Sequence, residues 1–320
     1  MILVIGGRSK IGASLIDELL ARGEEVRALV RSSETSAALA PAVHTTVGDL
    51  ADTDSLAAAM RGVDRVFLLC GPTRDEYLLN RNAIDAAAGA DVRLLVRSSI
   101  LGADSSAKGT FAEDHRACDA YLRDSELDHS IIRPNLFLQN VPENTIPSID
   151  ADGRFYINAG DARISMVDTR DVAAVAAIAL TEPGHENREY DVTGPEALSY
   201  ADVAGVISEH QGRPVTYIES DDQATREGLL GYGLDAWLVG GLVDLYQDYR
   251  RSGVDGYAAR VTDTVERLTG RPARSLRRLL SEQPAPYGEL TDPPVRAPDD
   301  KAPSCSSSSA TRLRNSRSPW

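Results

Sequence analysis

Ile2-Leu3-Val4-Ile5-Gly6-Gly7-Arg8-Ser9-Lys10-Ile11-Gly12 runs from an unbroken aliphatic stretch straight into a glycine-rich turn. Such a run suits a strand buried on both faces of a parallel sheet. From Ile11 to Arg22, the side chains of Ile11, Leu15, Leu19 and Leu20 fall on one helical face, and Gly23 supplies a C-terminal stop. Strand, glycine turn and helix in this order are the setting in which a loop grips a pyrophosphate. Gly6 permits the tight turn and a close approach of bare backbone. Gly12 lets the helix pack onto the strand, and the helix N-terminus offers free amides to an anion. The loop Gly6, Gly7, Arg8, Ser9, Lys10, Ile11 and Gly12 is therefore a candidate diphosphate cradle. A glycine turn that merely joins strand to helix is the alternative.

The same alternation continues outward. Strands are expected at Val26 to Val30, Val43 to Val47, Arg65 to Leu69, Leu94 to Ser98 and Ser130 to Arg133. Helices are expected at Thr53 to Met60, Glu76 to Ala88 and Ala112 to Arg123. This is the rhythm of an α/β, Rossmann-type doubly wound parallel sheet, placed at residues 1–141. Residues 142–282 read as a smaller α/β lobe, interleaved with the first and lying over the sheet's carboxyl edge. Within it, Ile164 to Val167 and Glu189 to Val192 look strand-like, Asp171 to Leu180 is an alanine-rich helix, and Ser199 to Asp202 resembles a capping box. Residues 283–320 are rich in proline and serine and are expected to be disordered.

Composition narrows the function. Of 320 residues, 34 are basic and 48 acidic, for a net charge of -14. Such a chain lacks the basic surface that displaces counterions from phosphate backbones, which argues against direct nucleic-acid binding. Cys70, Cys118 and Cys305 are too scattered for a disulfide framework or a zinc site, so no metal is expected. No membrane span or export signal is visible, and a cytoplasmic protein, monomer or homodimer, is expected.

The second strand ends in Arg31, nineteen residues after Gly12, where a carboxylate would read a ribose 2′-hydroxyl. A guanidinium suits a 2′-phosphate instead, and Arg8 and Lys10 add positive charge nearby. NADPH is the cofactor this favours; a solvated strand-end arginine is the alternative.

Gly6-x-x-Ser9-x-x-Gly12, Val47-Gly48-Asp49-Leu50, Gly62-Val63-Asp64-Arg65-Val66-Phe67, Arg133-Pro134-Asn135, Asp168-Thr169-Arg170-Asp171 and Thr193-Gly194-Pro195-Glu196-Ala197-Leu198-Ser199 are all present. Together with Leu268-Thr269-Gly270-Arg271-Pro272, they resemble the NmrA-like branch of the atypical short-chain dehydrogenases/reductases, over residues 1 to about 280. Ser9 stands where that family has its middle glycine. The resemblance implies that Asp49 and Leu50 lie along the adenine, and that Leu69, Cys70, Gly71, Pro72, Pro134, Asn135 and Leu136 line the nicotinamide side. The wider superfamily uses a tyrosine and, four residues later, a lysine; here Phe111 and His115 take those places. Phenylalanine donates no proton. His115 and Ser99 are thus the catalytic candidates, with Asp119 one turn on to orient the imidazole. A surface histidine and a strand-end serine are the plain alternatives.

Loss of the tyrosine points to acceptors whose reduced form solvent can protonate. The expected function is an NADPH-dependent reductase of a quinone or another conjugated, polycyclic aromatic small molecule. A non-catalytic NAD(P)-binding redox-sensing regulator and a cofactor-dependent isomerase stay open beside it. Phe137, Phe155, Tyr156, Trp237, Tyr246 and Tyr249 either wall an apolar pocket or form the lobe's own core.

Overall fold

The computed structural model describes residues 1–32, 39–104 and 107–283. Apart from Gln283, the tail expected to be disordered lies outside the described residues, as does Cys305. The strands are β1 (Ile2–Ile5), β2 (Val26–Val30), β3 (His44–Val47), β4 (Arg65–Leu68), β5 (Leu94–Ser98), β6 (Asp128–Pro134), β7 (Arg154–Ile157), β8 (Arg188–Val192) and β9 (Thr216–Glu219). Seven of them form one parallel sheet in the order β3-β2-β1-β4-β5-β6-β8. The chain winds one way from β1 to β3 and the other way from β4 onward. A crevice therefore opens beyond the carboxyl end of β1, where ligands of such sheets bind.

Alternation along β1 assigns its two faces. Ile2 and Val4 pack with Leu15, Ile16 and Leu19 of α1 (Lys10–Ala21). Leu3 and Ile5 pack on the opposite face, with Met60 of α2 (Thr53–Met60), Ile84 of α3 (Glu76–Ala88) and Leu122 of α4 (Thr110–Arg123). Each such buried aliphatic side chain contributes roughly 1.5–3 kcal/mol relative to exposure. The next helix, α5 (Thr169–Thr181), is buried on every side from Asp171 to Leu180 and packs against α1. Ala173, Ala174, Ala176, Ala177 and Ala179 make that close approach possible.

After β6 the chain leaves the sheet, returns through α5 and β8, then leaves again. Its excursions carry α6 (Tyr200–Gln211), α7 (Asp222–Gly231), α8 (Ala236–Ser252), α9 (Thr264–Thr269) and α10 (Leu276–Ser281). Ser199 and Asp202 form a complete capping box at the start of α6. Two findings depart from the sequence expectation. Ile164 to Val167 forms isolated bridges, Ile164 to Leu198 and Val167 to Phe137, in place of a strand. The lobe's own sheet is the parallel pair β7 and β9, which join residues about sixty positions apart. Its core gathers Phe155, Met166, Tyr200, Ile207, Tyr249 and Leu276. Among the described residues no helix is long and apolar enough to cross a membrane.

Candidate active site

The glycine loop is built by contact as well as by conformation. Gly6 has φ +85°, and a Cβ there would lie 2.6 Å from the Leu69 carbonyl oxygen. A Cβ on Gly12 would lie 2.2 Å from the Gly6 carbonyl oxygen. Ser9 caps α1: its Oγ accepts from the Gly12 amide at 3.0 Å. Ser9 thus holds one helix-end amide, while those of Lys10 and Ile11 have no intrahelical acceptor and face the crevice end of the sheet. This cradle fits a dinucleotide diphosphate.

The remaining cofactor candidates sit at successive strand ends. Arg8 and Arg31 are exposed. Lys10 is ion-paired with Glu143 in the segment after β6. The Asp49 Oδ1 caps the Ala51 amide at 2.9 Å, and the Leu50 carbonyl accepts from Asn82 Nδ2 at 2.9 Å. Asn135 acts as a staple: its Nδ2 donates to Ser165 Oγ at 2.9 Å and to the Ala258 carbonyl at 2.8 Å. Burial first, then the nearby Glu76, pushes the Cys70 thiol up to about 12, so it stays protonated at neutral pH.

A cavity of about 140 Å3 opens between this sheet edge and the small lobe. It brings together Ser9, Lys10, Ile11, Leu69, Cys70, Gly71, Pro72, Ser99, His115, Pro134, Asn135 and Leu136. Gly6, Gly7, Arg8, Gly12, Arg31, Asp49 and Leu50 are not in its lining. Of the aromatic candidates, Phe137 and Tyr249 reach it, along with Phe111. Phe155, Tyr156, Trp237 and Tyr246 do not.

Behind the cavity lies a buried polar cluster that the sequence reading missed. Arg97, at the inner end of β5, is fully buried. Its guanidinium pairs with Asp119, donates from Nε to Asn80 Oδ1 at 3.1 Å and reaches His115 Nδ1 from Nη2 at 3.0 Å. Asp119 also accepts from Ser99 Oγ at 2.9 Å and from Arg133 Nε at 3.4 Å. The expected contact of Asp119 with His115 is therefore replaced: Arg97 and Glu76 flank the ring, and Asp119 serves the two arginines. A charged residue inside the apolar strand Leu94-Leu95-Val96-Arg97 was the one available signal.

The geometry also sets the protonation states. Arginine has no acceptor, so His115 Nδ1 must accept and the ring proton sits on Nε2, 3.2 Å from Glu76 Oε1. Burial, then the Arg97 charge, holds His115 well below the ordinary histidine range. Burial likewise pushes Glu76 up to about 8, with Arg97 opposing. At neutral pH the ring is uncharged, Glu76 is protonated, and Arg97 balances Asp119. Nδ1 is committed to Arg97, whereas both carboxyl oxygens of Glu76, which Nε2 faces, are buried without a hydrogen-bond partner. His115 presents a neutral wall to the cavity rather than an imidazolium acid.

Residues 6–183 match the model of a protein family described as NAD(P)H-binding. The chain belongs to that family. Several relatives of this NAD(P)H-binding chain are oxidoreductases in name. An NAD(P)H azoreductase of Xenophilus azovorans is 35% identical over 289 residues, covering 90% of this chain and 99% of the relative. The Escherichia coli NADPH-dependent quinone oxidoreductase QOR2, solved with NADPH, superposes with TM-score 0.80 at 26% identity, covering 88% of this chain and 99% of that one. The negative transcriptional regulator NmrA, solved with NAD, superposes with TM-score 0.71 at 18% identity, covering 88% and 94%; at that identity the likeness concerns the fold. The protein is an NAD(P)H-dependent oxidoreductase.

Proposed function

We propose that this oxidoreductase passes hydride from NADPH to a quinone or another flat conjugated acceptor bound in the cavity. The observation that carries the reading is the cavity's position and chemistry. It lies at the switch point, with the cofactor loop on one side and Phe111, Leu136, Phe137 and Leu245 on the other. Those walls suit a planar apolar body. The azoreductase and QOR2 likenesses support the same acceptor class.

The cofactor, when bound, supplies the hydride, and the chain's own residues bind, orient and exclude water. The Lys10 and Ile11 amides and the bare Gly6 backbone hold the diphosphate, with Arg31 and Arg8 reading the 2′-phosphate. Leu69 to Pro72 and Pro134 to Leu136 bracket the nicotinamide. Ser99, whose hydroxyl proton is engaged by Asp119, offers its oxygen to the cavity as an acceptor. Lys10, the charged side chain of the lining, is paired with Glu143, so the reduced product takes its proton from solvent, which suits the delocalised oxyanion of a hydroquinone. From beyond residue 142, Leu245 and Tyr249 complete the far wall.

NADPH oxidation followed at 340 nm with a naphthoquinone and an azo dye tests the reading. Turnover of the quinone is expected, with no ionisation near pH 6.5 in kcat, because His115 stays uncharged. Tight NADPH binding without turnover of either acceptor would overturn it in favour of a cofactor sensor.

A further inference from the structure

Three hydroxyls lining the cavity have no hydrogen-bond partner among the described residues: Ser98, Thr169 and Tyr249. Their places differ. Ser98 ends β5 and Thr169 opens α5, so both belong to the sheet edge on which the dinucleotide lies. Tyr249 is carried by α8, on the wall across the cavity. Its ring is wedged between Tyr246 and Tyr257, with centroids 5.9 and 6.0 Å away, and it is only 5% exposed. The neighbouring phenols are engaged: Tyr246 bonds Tyr200 at 2.8 Å, and Tyr257 donates to Asp248 at 2.9 Å. A rigidly packed phenol that lines a cavity and has no protein partner for its hydroxyl is placed to bond what enters there.

We propose that Tyr249 is the hydrogen-bond donor to the acceptor: its hydroxyl binds the carbonyl oxygen of a quinone, or a nitrogen of an azo bond, from the face opposite the nicotinamide. This rests on the reading of the cavity as a hydride-transfer site. The phenol that Phe111 lacks is thereby supplied from the facing wall. As hydride reaches the ring of the quinone, negative charge develops on the bonded oxygen and the donor's bond shortens, which lowers the barrier. Tyr249 keeps its proton. Burial, with Tyr246 and Asp248 beside it, raises its ionisation above the ordinary phenol range. The proton that completes the hydroquinone comes from solvent, so the step balances as hydride from the cofactor plus one solvent proton.

Tyr249→Phe removes the oxygen and keeps the ring. In the full-length protein it should leave NADPH affinity within twofold and the melting temperature within a few degrees, while kcat with 1,4-naphthoquinone falls at least tenfold. Unchanged kcat overturns the proposal. So does an equal loss with a triarylmethane cation, which takes hydride at carbon and needs no donor. A second measurement is independent of turnover: 1,4-naphthoquinone titrated into the NADP+-loaded protein should bind at least fivefold more weakly to Tyr249→Phe. Equal affinities overturn the assignment of Tyr249. If the wild-type protein binds the quinone but never reduces it, the reductase reading fails while this titration still decides the role of Tyr249.

Discussion

The two walls of the cavity are made in opposite ways. The sheet-edge wall is a set of strand ends, and behind it Arg97, Asp119, Arg133, Ser99 and Asn135 bond to one another or to backbone. The facing wall comes mainly from α8 and the stretch after β6, and it is aromatic and aliphatic. The first wall is fixed by strong, directional, buried interactions that fail abruptly when one partner goes. The second is fixed by packing, which tolerates change in smaller steps. Position and cofactor geometry belong to the rigid wall; choice of acceptor belongs to the softer one.

The sharpest way to break this contrast is Asp119→Ala. It leaves Arg97 buried without its carboxylate, and losses of about 3–5 kcal/mol are typical of such a break. Urea unfolding should show a loss of that order, against less than about 1.5 kcal/mol for Leu245→Met on the opposite wall. Comparable losses would erase the distinction.

Glu76 gives a test with a sign. Its folded ionisation lies above the unfolded carboxylate value, so its contribution is fully present below about pH 4.5 and is lost as pH rises toward about 8. His115 is shifted the other way, so its contribution is lost as pH falls through the acid range below 6.5. Glu76→Gln keeps the shape and stays neutral. It should be more stable than the wild type at pH 8 by on the order of 1–3 kcal/mol, and the fall in melting temperature between pH 5 and 8 should flatten. An unchanged slope would place the ionisation elsewhere.

Arg31→Ala should weaken NADPH binding about tenfold, roughly 1.4 kcal/mol, and leave NADH nearly unaffected. Equal losses would make Arg31 structural. The smallest effect is expected at Gly241, where a Cβ would fall 2.3 Å from the Phe111 ring. Gly241→Ala should tilt that ring into the cavity and raise quinone KM several-fold, with NADPH affinity intact.

How far the sequence revealed these walls follows from the range of the interactions. β1, the glycine turn and α1 were legible because adjacent residues decide them: aliphatic run, turn glycine, helical period. Ser199 and Asp202 were legible for the same reason, since both halves of a capping box lie within one turn. β7 and β9 were not: each has only four residues, half of them exposed, and parallel pairing leaves no hairpin signature between them. His115 was placed in the site by spacing, yet its partners Arg97 and Glu76 come from other elements and left no local sign. Ile164 to Val167 has strand-like side chains, but what fixes it is Ser165, held by the Ala258 and Arg260 carbonyls and by Asn135.

The helix α5 carries a consequence for how such a chain can change over generations. It has no outward face between Asp171 and Leu180, so almost no substitution there is silent. An added methylene among its alanines costs typically 1–3 kcal/mol, a large part of a domain's net stability. Drift is therefore closed at the helix and open on α7, which buries no residue at all. Lineages descending from this protein should explore new acceptors by rewriting the mobile repertoire of the small lobe's side chains, while α5 persists as a strip of small residues that records common ancestry after the acceptor wall has lost it.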